Sequence, residues 1–120
     1  MTLELNTEAI KLFTEIGFLG VSRGHYGAAE VIFSMVQAMR PGEESGAVGR
    51  AITALAADRA DVAVQHLASA DQTEAVMAFS VVALVRLGDR AKAAQMTEDL
   101  KDMECDEALL AMCEAAIANN

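Results

Sequence analysis

Apolar residues recur at helical spacing along almost the whole chain, and the interruptions fall at regular places. Between Glu8 and Arg23 the residues Ile10, Phe13, Ile16, Gly17, Leu19, Gly20 and Val21 return every three to four positions, which predicts a helix with Thr7 as its N-cap. A second helix is predicted from about Tyr26 to Met39 on Ala29, Val31, Ile32, Phe33, Val36 and Met39, and Arg40-Pro41-Gly42 ends it. The third starts near Glu43-Glu44-Ser45, where acids favour a helix N-terminus, and runs through Val48, Ile52 and Leu55 to about Ala57. A fourth covers roughly Ala60 to Ser69. Thr73 to Leu87 form a fifth, so apolar that it must be buried around much of its circumference. Gly88 closes that helix, Asp89 caps a sixth through Leu100, and a connector from Asp102 to Asp106 leads to a seventh from Glu107 to Ala118.

The interruptions repeat. Gly24-His25-Tyr26-Gly27-Ala28-Ala29-Glu30-Val31-Ile32-Phe33 is echoed by the segments that begin at Asp58 and at Gly88, with spacings of 34 and then 30 residues. A period of this size with a helix on either side of each turn is the signature of stacked helical hairpins, whose concave surface binds other molecules. The expected architecture is therefore all-α: three helical hairpins and a C-terminal capping helix in one domain over residues 1–120. The competing arrangement is an irregular helical bundle.

The first unit resembles the tetratricopeptide (TPR) repeat, with Phe13, Ile16, Gly17, Gly24, Tyr26, Ala29, Phe33 and Pro41 at positions where that repeat has its characteristic aromatic, small and proline residues. The later units match more loosely: Ala63 with Leu67 and Gly88 with Ala93 keep the second-helix signature, while Arg50 and Ser80 stand where the repeat has Leu. The resemblance implies a short right-handed solenoid. A narrower likeness spans nearly the whole chain. Its length, its acidic balance, the phrase Tyr26-Gly27-Ala28-Ala29-Glu30-Val31-Ile32 and the run Met39-Arg40-Pro41-Gly42 resemble the small TPR-like proteins of bacterial type III secretion. Membership of the needle-chaperone group would imply that the protein holds the amphipathic helix of a needle subunit in its groove, with a second small helical co-chaperone near its N-terminal hairpin.

Aligning the three units places one face of each first helix toward the groove. That face carries Lys11, Thr14, Phe18, Val21 and Ser22, then Ser45, Val48, Ile52, Leu55 and Ala56, then Ala75, Ala78, Val82, Val85 and Arg86. The candidate binding residues are Thr14, Phe18, Val21, Val48, Ile52, Leu55, Ala78, Val82 and Val85. An open apolar strip of this kind invites association, and a partner's amphipathic helix is its natural occupant. Burying about 500 Å² of apolar surface there is worth on the order of 12 kcal/mol gross, before the ordering cost of the partner. Two other readings stand beside it: the same residues pack a closed core, or two copies bury their strips against each other as a homodimer. Leu5, Leu12 and Leu19 on the first hairpin are open between packing and docking, whereas Ile10 is assigned to packing.

The rest of the composition narrows the function by exclusion. A net charge of −9 with nine scattered Lys and Arg argues against a nucleic-acid partner. No apolar run is long enough for a membrane span, and Met1-Thr2-Leu3-Glu4 lacks the basic flank and apolar core of a signal peptide, so a cytoplasmic location is expected. Cys105 and Cys113 read as two positions on one exposed helix about 12 Å apart, too far for a disulfide. With His25 and His66 they match no zinc spacing, so no metal or cofactor is expected. The acids around Glu43-Glu44 and from Asp99 to Glu107 form no calcium loop and no acid–base pair. Met35, Met39, Met77, Met96, Met103 and Met112 are assigned mostly to the core. No catalytic constellation emerges, and the chain is read as a non-enzyme.

Overall fold

The computed structural model describes residues 7–119. These residues form seven helices: α1 (Thr7–Ser22), α2 (Tyr26–Met39), α3 (Glu44–Ala56), α4 (Ala60–Ala68), α5 (Glu74–Leu87), α6 (Arg90–Asp102) and α7 (Glu107–Ala118). The predicted boundaries hold to within two residues. Thr7 lies within α1 and is not a cap preceding it. Thr73, Asp89 and Asp106 cap α5, α6 and α7, their side-chain oxygens accepting from the backbone N–H of Val76, Lys92 and Ala108.

Three of the connections share one geometry. Gly24, Asp58 and Gly88 all take the left-handed conformation, with φ of 78°, 60° and 98°. In each case the next residue's N–H returns to a carbonyl five positions back: His25 to Gly20, Arg59 to Ala54, Asp89 to Leu84, at 2.8 to 2.9 Å. This is a helix C-terminal motif that satisfies otherwise orphaned carbonyls. Glycine is free to adopt it, and Asp is among the few other residues that tolerate it. Five positions beyond each left-handed residue stands an alanine, Ala29, Ala63 or Ala93, with no exposed surface. The turn recurs at Glu104 (φ 55°), where the Cys105 N–H bonds Leu100 O, just before α7.

Each helix packs against the next in sequence. In addition α1 meets α3, α3 meets α5 and α5 meets α7, while among the described residues α2, α4 and α6 do not meet one another. Equivalent polar ties join successive odd helices at their starts: Thr73 donates to Glu44, and the Asp106 N–H donates to Glu74 Oε1 at 3.1 Å. The molecule is about twice as long as it is thick, 47 × 30 × 22 Å. Among the described residues no helix is long and apolar enough to cross a membrane.

The helix α5, central in these contacts, buries Val76, Ala78, Ser80, Val81, Ala83, Leu84 and Val85, half of its fourteen residues. One core cluster joins Val48, Ala51, Ala54 and Leu55 of α3 to Ala63, Leu67, Val76 and Ala83; the other joins Ala78, Val81, Leu84 and Val85 to Ala93, Leu100 and Cys113. The N-terminal part is built differently. The fully buried Phe33 ring lies in a slot between α1 and α3 that only glycine permits: a Cβ at Gly49 would sit 2.1 Å from Phe33 Cδ1 and one at Gly17 2.6 Å from its Cζ. A Cβ at Gly46 would come within 2.6 Å of the Gln37 backbone, so α2 and α3 touch almost backbone to backbone.

The two positions that depart from the repeat pattern are explained by their partners. Arg50 reaches from α3 to α2, with Nε donating to Glu30 Oε1 at 2.8 Å and an NH1 bond to Gln37 Oε1 at 2.8 Å. Buried Ser80 donates back to Val76 O at 2.7 Å. The cysteines are placed differently from expectation, because Cys105 lies in the turn before α7 and Cys113 is buried within it. Both are free thiols. Met77, Met96 and Met112 pack on the second core cluster, whereas Met35 and Met103 are exposed.

Candidate helix-binding surface

Because the three turns are equivalent, residues at equal distances from them occupy corresponding faces of α1, α3 and α5. Thr14, Val48 and Ala78 form one such row; Phe18, Ile52 and Val82 a second; Val21, Leu55 and Val85 a third. Burial separates the rows. Val48, Leu55, Ala78 and Val85 are buried members of the two core clusters, so these four candidates pack helix on helix and do not line an open groove. The physical reason is lateral: α3 and α5 each have a neighbour on both sides, which covers the flanks of the face and leaves only its crest.

The crest is the middle row. Ile52 and Val82 are partly buried on the first core cluster, and Phe18 is 36 % exposed. Phe18 is held by Phe33 beneath it, with ring centroids 4.9 Å apart and planes at 59°, a tilted pairing that fixes its orientation. On α1, whose outer side has no neighbouring odd helix, Thr14 and Val21 also remain partly open. The Thr14 hydroxyl donates back to Ile10 O at 2.8 Å, which satisfies its donor within the helix. At the C-terminal ends of these helices Arg86 reaches across from α5, NH1 donating to Leu55 O at 3.1 Å. That contact places a cation beside a helix C-terminus, the favourable sign for the backbone dipole.

A second concavity of about 500 Å³ opens where α2 and α4 diverge, lined by residues that include Tyr26, Glu30, Arg50, Thr53, Arg59, Val62 and His66. Its polar centre is the Arg50–Glu30 ion pair, 2.7 Å at NH2. His66 is held below its ordinary pKa, first by burial and then by the nearby Arg50 charge, with Glu30 opposing. This cluster escaped the sequence reading, which saw Arg50 only as a break in pattern and His66 only as a remote ligand candidate. The available signal was the pairing of an acid and a base at apolar-face positions of adjacent helices. The Thr53 hydroxyl donates back to Gly49 O at 2.8 Å, and Arg50 spends its donors on joining α2 to α3.

Nucleophilic chemistry finds no support at Cys113 either. Burial, followed by the Cys105 and Glu114 charges, pushes that thiol up to about 11, and its Sγ faces Ala78 O at 3.8 Å. Among the described residues no three His, Cys, Asp or Glu side chains gather as a metal site. Comparison with protein-family models, with curated proteins and with solved structures finds no match to this chain.

Proposed function

We propose that this chain is a non-catalytic helix-binding protein, built as three TPR-like hairpins closed by α7 in a short right-handed solenoid. The observation that carries the reading is the recurrence of one half-open apolar residue, Phe18, Ile52 and Val82, at the same place in three helices that touch in succession. Contact between successive odd helices without contact between the even ones supports a curved stack whose inner side these residues line. The occupant is the apolar face of a partner's amphipathic helix, anchored at i, i+3, i+4 and i+7. Thr14 and Val21 extend the strip at the α1 end.

The resemblance of the sequence to type III secretion needle chaperones suggests the class of client: a small helical subunit that polymerises through its own apolar face. Covering that face keeps the client monomeric until export. The test is affinity isolation of the intact chain from its native host, with mass spectrometry of the bound species. Ile52→Asp is expected to lose the stoichiometric helical partner while circular dichroism stays at the wild-type level, and Phe18→Asp is the second variant. Retention of the partner by both variants, or a wild-type chain that brings down none, overturns the reading.

A further inference from the structure

The end of the molecule formed by α1 and α2 carries most of the large apolar side chains that the fold leaves in water. Leu12, Ile16 and Leu19 of α1 are 55, 42 and 50 % exposed, and Val31 and Met35 of α2 are 61 and 43 % exposed. Helical spacing puts each set in one stripe. Gln37 and Glu30 show which side of α2 faces α3, because Gly46 abuts the Gln37 backbone and Arg50 bonds both side chains. Val31 and Met35 lie on the opposite side. On α1, Gly17 faces α2 and is covered by Phe33, and Leu12, Ile16 and Leu19 point away from the core. The two stripes therefore share the end face that looks away from α3.

Five half-exposed side chains of this size leave a patch of roughly several hundred Å², the scale at which a surface marks an interface. Two such patches joined approach the ~1,000 Å² of a specific association. The charges on the α1 stripe are balanced, Glu8 and Glu15 against Lys11 and Arg23, on a chain whose net charge is −9. They are also ordered. Glu8 precedes Leu12 by one turn, and Arg23, whose N–H still bonds Leu19 O at 3.1 Å, follows Leu19 by one turn. Laying α1 antiparallel on itself with Leu12 against Leu19 of the second copy also sets Glu8 against Arg23 of the second copy. The twofold axis passes between Glu15 and Ile16.

We propose that this end face is the interface of a symmetric homodimer in which α1 lies antiparallel on α1 of a second copy. The interface is isologous, so every favourable contact occurs twice. It leaves Phe18, Ile52 and Val82 open, so the dimer and the helix-binding strip are separate properties.

The experiment is sedimentation equilibrium of the full chain from about 1 to about 300 µM, the range of weak to moderate dimer affinities. The wild-type chain is expected to reach twice 12.7 kDa, and Leu12→Glu with Leu19→Glu to remain monomeric with unchanged circular dichroism. Glu8→Arg is expected to raise the dimer Kd about tenfold, since it creates two like-charge pairs, and adding Arg23→Glu to restore it. Ile52→Asp is expected to dimerise as wild type. A wild-type chain that stays monomeric throughout, a dimer that survives the Leu12/Leu19 double variant, or a charge swap that fails to restore affinity overturns the proposal.

Discussion

Helices α1 and α5 are both rich in large apolar residues, yet they use them differently. The helix α5 touches α3, α4, α6 and α7 and buries seven residues; α1 touches only α2 and α3 and buries Ile10 and Gly17. The same contrast holds for the two ends of the molecule. The closing helix α7 turns Ala108, Ala111, Glu114, Ala115 and Ala118 to solvent, whereas the α1–α2 end turns out Leu12, Ile16, Leu19, Val31 and Met35. One end presents small and charged residues to water and the other presents large apolar ones. The interiors differ as well: at the N-terminal side Ile10, Ala29 and Val36 are buried around Phe33 in its glycine slot, against two clusters of aliphatic side chains from α3 onward. A helix with an odd-numbered neighbour on one side only has less to bury its apolar residues against, and α1 leaves Leu12, Ile16 and Leu19 in water.

The sharpest way to break this comparison is at the slot. Gly49→Ala is expected to cost about 3 kcal/mol, because the new methyl overlaps a ring that cannot leave a fully packed site. Urea unfolding measures the loss, and hydrogen exchange should place it in α1, α2 and α3 with α5 to α7 protected; uniform loss of protection would show that the two ends are not built separately. A second expectation concerns the closed end and changes reactivity without changing stability. At pH 8 a thiol reagent is expected to label Cys105 in the native protein and Cys113 only after unfolding, because Cys113 is buried and that burial pushes its thiol up to about 11. Rapid native labelling of both thiols would mean that α7 opens readily.

The smallest expected effect lies at the junction, at His66. Its folded pKa is below the unfolded value of 6.5, so folding disfavours the charged ring. Its contribution is fully present above about pH 6.5 and is lost as pH falls through the lowered folded value. His66→Gln is expected to flatten the pH dependence of stability over that window, measured by urea unfolding at a series of pH values. The change is small because the ring is only partly removed from water. An unchanged slope would remove His66 from the account.

Much of this was legible in the sequence for local reasons. Helix ends are written by Asp89, Gly88, Gly24 and Pro41 through capping and backbone freedom, which depend on neighbours in sequence. The face that carries Val48, Ile52 and Leu55 was legible only as a face. Which of Val48, Ile52 and Leu55 stays open depends on how closely α1 and α5 flank α3, and no local pattern encodes that distance. The same limit hid the Phe33 slot: Gly17 reads as a small residue of the first helix, nothing in the local pattern marks Gly49, and only their meeting on one ring gives them a role. Cys105 and Cys113, eight residues apart, read as two positions on one exposed helix, while the left-handed turn at Glu104 and the contact of α7 with α5 put them elsewhere.

The sequence by itself determined where the helices begin and end, the recurrence of one turn at Gly24, Asp58 and Gly88, and the abundance of apolar faces, since each follows from short-range sterics, hydrogen bonding and helical period. The tertiary structure alone decided which of those faces are spent. Burial is a property of what lies across the gap: a side chain such as Leu55 is covered where its helix has neighbours on both sides, and one such as Leu12 stays in water where its helix forms the end.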